Sequence, residues 1–132
     1  MFTIIVLWYA TGVKRLLIVE DNHELQDILK ERFSQENLEV IQAFTGEEGL
    51  GEVKQHPPDM VLLDIMLPGG MNGFDVLEQV KKNPLLKNIH VIVLTNLDSE
   101  QKTALDIGAE DYIVKSNISL DEIVLKVKNQ IG

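Results

Sequence analysis

The chain has 132 residues, 45% of them hydrophobic, and no cysteine, which fits one domain with a single buried core and excludes disulfides, thiolate metal sites and thiol nucleophiles. Twenty-one acidic side chains against 12 basic ones give a formal net charge of −9. Such a surface repels nucleic acid and anionic lipid, so neither direct nucleic-acid binding nor membrane association is expected.

Residues 1–13, Met1 to Val13 (MFTIIVLWYATGV), carry no charged side chain. The apolar run is shorter than the roughly 20 residues needed to span a bilayer. No Lys or Arg precedes it, as a signal peptide would require. It reads as an N-terminal extension: an extra strand, a packing arm, or the product of an upstream start. Residues 14–132 then form the domain proper. Leu16 to Val19 is an apolar strand ending in Glu20-Asp21-Asn22, and Leu25, Ile28, Leu29 and Phe33 give one face of a helix. Glu39 to Phe44 alternates as a strand does, and Thr45 with Glu48 offers a capping box for a helix reaching about Gln55. Pro57-Pro58 ends that helix, and the apolar strand Met60 to Leu63 runs into Asp64. A loop rich in Pro and Gly spans Pro68 to Gly73. Phe74, Leu77 and Val80 then stripe a third helix that stops before Pro84. Ile89 to Leu94 is a strand before Thr95, and Asp98 to Ile107 a helix closed by Gly108. Tyr112 to Val114 is a short strand before Lys115. Ser119 and Glu122 form a second capping box for a helix striped by Leu120, Ile123, Val124, Val127 and Ile131.

Five strand–helix units in succession imply an α/β fold, a parallel sheet with helices on both faces. Among the orders open to five such units, 2-1-3-4-5, the flavodoxin-like one, is common. A (βα)8 barrel needs about 250 residues and is excluded. In a parallel sheet the ends of successive strands share one edge, so Glu20, Asp21, Asp64, Thr95 and Lys115 converge there. Three carboxylates held together bind a cation or take up protons. Oxygen ligands without His or Cys suit a hard ion, Mg²⁺ above all. A carboxylate on Mg²⁺ beside an ammonium and a hydroxyl is equipment for phosphoryl transfer. Read singly, each residue has a plainer reading: Asp21 or Asn22 as a helix cap, Asp64 as a turn residue, Tyr112 as core, Lys115 as a solvated lysine. The dispersed His23, His56 and His90 read as neither ligands nor nucleophiles.

The set Val19-Glu20-Asp21, Asp64-Ile65-Met66-Leu67-Pro68, Gly73, Thr95 and Tyr112-Ile113-Val114-Lys115 resembles the receiver domains of two-component response regulators, over Lys14 to about Ile131. The resemblance implies that Asp64 accepts a phosphoryl group. It implies that Glu20, Asp21, Asp64 and the Met66 backbone carbonyl hold Mg²⁺. Thr95 and Lys115 would bind the phosphoryl group, and Tyr112 would act as an aromatic switch. The implied partners are a sensor histidine kinase or a histidine phosphotransfer protein, and a downstream effector domain or protein. The setting would be cytoplasmic, and a homodimer is allowed. The chain is then a self-phosphorylating switch rather than a turnover enzyme. Met66 and Leu97, two residues beyond Asp64 and Thr95, are apolar and cannot orient a hydrolytic water, so self-dephosphorylation should be slow.

Departures from the family pattern matter. The loop Pro68 to Gly73 is one residue longer than usual, and Asn96 follows Thr95 where a small residue is common. Ser116 follows Lys115 in place of a proline, so this peptide is either trans, with a reshaped loop, or cis at about 3–4 kcal/mol. One competing reading is a receiver-like interaction domain that works without phosphorylation. Another is a haloacid-dehalogenase-type phosphatase, which has a second Asp where this chain has Met66.

Overall fold

The apolar runs become five parallel strands, β1 (Lys14–Val19), β2 (Leu38–Ala43), β3 (Met60–Leu63), β4 (His90–Thr95) and β5 (Asp111–Val114). Five helices alternate with them: α1 (His23–Ser34), α2 (Gly46–Gln55), α3 (Gly73–Lys82), α4 (Gln101–Ile107) and α5 (Leu120–Ile131). The computed structural model describes residues 12–132, so the expectations for the N-terminal extension, up to residue 11, lie outside the described residues. The sheet order is β2-β1-β3-β4-β5, with every pair parallel, as the sequence leads one to expect.

Burial follows position in the sheet. All four residues of the central β3 are buried, because helices cover both its faces, whereas the edge strand β2 is mostly half-buried. On one face, Leu29 and Phe33 of α1 and Ile123, Val124, Val127 and Ile131 of α5 pack on Leu16, Ile18, Leu62 and Ile92. Residues of α2, α3 and α4 pack on Leu17, Val19, Val61 and Val93 across the other. Each such side chain, fully buried, contributes roughly 1.5–3 kcal/mol of transfer free energy. Helix α2 lies close on β1: a Cβ added to Gly49 would lie 2.8 Å from Val19 Cγ2. Among the described residues no helix is long and apolar enough to cross a membrane.

The structure corrects the sequence expectations in several places. Ile28 does not share the inner face of α1; it is 47% exposed, and Gln26 is buried instead. At 100° per residue Leu25, Gln26, Leu29 and Phe33 make one stripe, and Ile28 falls on its outer flank. Helix α4 begins at Gln101 rather than Asp98, because Leu97 is anchored in the preceding loop through its carbonyl by the Tyr112 hydroxyl. Thr45 caps α2 by accepting from the Glu48 N–H (3.1 Å), but the Glu48 carboxylate accepts from the Thr45 hydroxyl rather than the Thr45 N–H and closes no box. Ser119 and Glu122 do form the reciprocal box. Strand β4 ends on Thr95 itself, one residue later than expected. Among the described residues no peptide is cis, so the Lys115–Ser116 bond is trans, and Lys115–Asn117 form a 3₁₀ turn.

Candidate functional site

The chain order reverses between β1 and β3, which are neighbours in the sheet. Open α/β folds form a crevice at such a point, beyond the carboxyl ends of the strands. Glu20 and Asp21 leave β1 there and Asp64 leaves β3, joined to β1 by its N–H on the Val19 carbonyl (3.0 Å). Oxygen atoms of Glu20, Asp21 and Asp64 all lie within 4.8 Å of one another. Glu20 and Asp64 are buried, at 3% and 5% exposure, while Asp21 faces solvent. This all-oxygen set, two members of it withdrawn from water, fits a hard divalent cation.

Lys115 reaches the same pocket across the sheet. Its Nζ donates to Asp64 Oδ2 at 2.8 Å and to Glu20 Oε1 at 2.5 Å. Burial alone would lower the Lys115 pKa, but the two carboxylates on its ammonium reverse this and raise it above the ordinary lysine value. Glu20 goes the other way from a typical paired acid. Its burial outweighs the hydrogen bonds from Lys115 and the Asn22 N–H, and the nearby Asp64 charge adds to the burial, so its pKa is raised. The other Asp64 oxygen, Oδ1, accepts from the Met66 N–H at 3.0 Å.

The loop after Asp64 is fixed by close backbone approach. The Gly73 N–H donates to the Ile65 carbonyl at 2.9 Å, and a Cβ at Gly73 would lie 2.1 Å from the Asp64 carbonyl oxygen. Asn72 and Asp75 cap α3 reciprocally, at 3.1 and 2.9 Å. A Cβ at Gly46 would meet the Met71 carbonyl at 2.5 Å, so α2 braces the loop from its far side.

Five of the predicted site residues thus surround one pocket: Glu20, Asp21, Asp64, Lys115 and the Met66 backbone. The Met66 side chain is 58% exposed beside it. Thr95 is fully buried at the end of β4, and its hydroxyl accepts from the Leu97 N–H at 3.4 Å rather than meeting the carboxylates. Tyr112 is not in the pocket. Its ring is buried in the core, and its hydroxyl donates to the Leu97 carbonyl. Burial pushes the Tyr112 hydroxyl pKa up, and the Glu100 and Asp98 charges push the same way. Asn22 takes the cap of α1, accepting from the Leu25 N–H at 2.9 Å. Three residues were missed. Asn72 and Asp75 could have been found from their Asn-x-x-Asp spacing at a helix start. Gln26, buried behind the Glu20–Asp21 turn, gives no signal in the sequence.

Residues 16–128 match the family described as the response regulator receiver domain. Over 117 residues, 87% of this chain and 50% of the relative, the sequence is 36% identical to an uncharacterized transcriptional regulatory protein, YcbL, of Bacillus subtilis (strain 168). The chain therefore spans about half the length of that relative. Among solved structures, a CheY-like response regulator receiver domain protein from Methanospirillum hungatei JF-1 is 31% identical, with a TM-score of 0.82 over 90% of this chain and 94% of that one. The BeF3-activated N-terminal receiver domain of Klebsiella pneumoniae RstA is 25% identical, with a TM-score of 0.80 over 89% and 97%.

Proposed function

Because the chain belongs to the response regulator receiver family, we propose that it is a phosphorylation-operated signalling switch in which Asp64 is the phosphoryl acceptor. The observation that carries this is the buried Asp64 carboxylate, held between the Lys115 ammonium and the Met66 N–H and within 4.8 Å of two further carboxylates. In the reaction an Asp64 carboxylate oxygen forms a bond to phosphorus while the P–N bond of a phosphohistidine breaks. The imidazole of the donor leaves with its electron pair and takes up a proton. Glu20, Asp21, Asp64 and the Met66 carbonyl would hold Mg²⁺, whose charge would neutralise the phosphoryl oxygens. Lys115 supplies a cation already aimed at the acceptor, and its trans link to Ser116 leaves it within reach. Thr95, at the end of β4, supplies a hydroxyl donor to the phosphoryl group.

The donor would be a sensor histidine kinase or a histidine phosphotransfer protein, in the cytoplasm, and the output would pass to an effector domain or protein. The role is that of a switch which catalyses its own modification, not of a turnover enzyme. Incubation with acetyl phosphate and Mg²⁺, followed by intact mass, tests the reading. A single phosphoryl adduct is expected on the parent chain and none on Asp64→Asn, whose amide keeps the shape but not the nucleophile. Equal incorporation by the variant would move the acceptor elsewhere, and no adduct on the parent would favour a phosphorylation-independent interaction domain.

A further inference from the structure

Behind the acidic pocket lies a polar side chain that the chemistry above does not use. Gln26, on the inner stripe of α1, is fully buried. Its Nε2 lies 3.0 Å from the Ile18 carbonyl, 3.1 Å from that of Glu20 and 2.8 Å from that of Ala43. Two N–H groups therefore serve three acceptors drawn from the end of β1, the turn after it and the end of β2. The orientation of the amide is fixed as well, because its Oε1 accepts from Gln42 Nε2 at 3.2 Å, and the same nitrogen also donates to the Gln26 backbone carbonyl.

The peptide joining Glu20 to Asp21 is thereby pinned. The Glu20 N–H donates to the Ala43 carbonyl at 3.0 Å, and the Glu20 carbonyl accepts only from Gln26 among the described residues. The Asp21 carboxylate has no hydrogen-bond partner among the described residues, so its position is inherited from that peptide. Glu20, by contrast, is held directly by Lys115 and the Asn22 N–H. A buried amide whose donors go to the end of β1, the Glu20 carbonyl and the end of β2 fixes the turn that carries the two carboxylates, and so acts on the ligands.

We propose that Gln26 is a positioning residue that sets the Mg²⁺ affinity and selectivity of the pocket by fixing the Glu20–Asp21 peptide. The inference rests on reading Glu20, Asp21 and Asp64 as the Mg²⁺ ligands. Mg²⁺ demands near-ideal octahedral geometry, whereas Ca²⁺ tolerates displaced ligands. Loosening Asp21 should therefore weaken Mg²⁺ more than Ca²⁺. A general loss of folded protein would weaken both equally.

Calorimetric titration of the full chain with MgCl₂ and with CaCl₂ tests this. Gln26→Leu keeps the volume and removes both donors; Mg²⁺ affinity should fall about tenfold, the lower end for lost outer-shell support, and Ca²⁺ affinity by clearly less. Gln42→Leu, which frees the amide to turn, should act in the same direction by a smaller factor, and it carries the test if Gln26→Leu does not fold. Unchanged Mg²⁺ affinity, or equal losses for the two ions, overturns the proposal. Asp21→Ala separates the two levels. If that variant weakens Mg²⁺ and the glutamine variants do not, only the positioning role fails; if Asp21→Ala leaves Mg²⁺ untouched, the ligand assignment itself fails.

Discussion

Glu20 and Asp64 share one ammonium in the pocket, and burial sets the charged form of Glu20 against the fold. The Glu20 pKa is raised above its ordinary 4.5, chiefly by burial. Below that value Glu20 is protonated in both folded and unfolded chains and has no effect on stability. As pH rises from there through the folded pKa, the unfolded chain releases its proton first, so stability is lost across that window and stays lost above it. Lys115 acts in the opposite sense at the alkaline end, contributing stability below its ordinary value that fades as pH rises through its raised one. In metal-free buffer, the stability of Glu20→Gln relative to the parent should therefore climb as pH rises from the ordinary value of 4.5 through the raised folded one, and then level off. Urea unfolding at a series of pH values checks it; a flat difference would show that Glu20 ionises in the fold as freely as in water. The carboxylates themselves were legible, because each follows an apolar strand and strand direction puts them on one edge. Gln26 was not: its value lies in three carbonyls at the ends of β1 and β2, which only the assembled sheet brings within reach.

At the scale of elements, the strands and helices were nearly all readable from period and punctuation, and the misreading of α1 shows the limit. Leu25, Ile28, Leu29 and Phe33 satisfy a helical repeat, but so do Leu25, Gln26, Leu29 and Phe33, separated by only a small rotation about the helix axis. Hydropathy favours the first set. The sheet chooses the second, because Gln26 satisfies the Glu20 carbonyl, which an isoleucine would leave unpaired. The two sets predict different energetics. Leu29 is fully buried among Phe33, Leu16 and Leu62, so Leu29→Ala should cost about 2–5 kcal/mol in urea unfolding. Ile28→Ala, on the outer flank, should stay within about 0.5 kcal/mol of the parent. Comparable losses for the two would return Ile28 to the core. The start of α4 was misplaced for a related reason. Asp98 to Glu100 read well as a first helical turn, but the Tyr112 hydroxyl, from β5, claims the Leu97 carbonyl and holds the chain in a loop until Gln101.

On the scale of the whole molecule, the sheet is a rigid plate whose order rested, at the level of sequence, on how five such units commonly assemble rather than on any residue. What moves on such a plate must be a loop with two arrangements, and the segment after β4 has the required construction. One residue, Leu97, is held on both sides of its α-carbon: its N–H by Thr95 Oγ1 at 3.4 Å and its carbonyl by the Tyr112 hydroxyl. A phosphoryl group on Asp64 that drew the Thr95 hydroxyl toward itself would release the first hold and weaken the second. Tyr112 would then be free to leave the Leu97 carbonyl, altering the surface formed by α4, β5 and α5. Tyr112→Phe removes the second hold in the resting state while leaving the ring to fill the core. One net hydrogen bond is worth about 1 kcal/mol, roughly fivefold in an equilibrium constant. If the two arrangements are in equilibrium before phosphorylation, the variant should populate the released one about fivefold more than the parent does. Its unphosphorylated amide NMR shifts at Leu97, in α4 and in β5 should then move along the line joining the resting and phosphorylated parent. Shifts confined to the immediate neighbours of residue 112, with no displacement along that line, would mean that the Leu97 backbone does not couple the acceptor to the outer face.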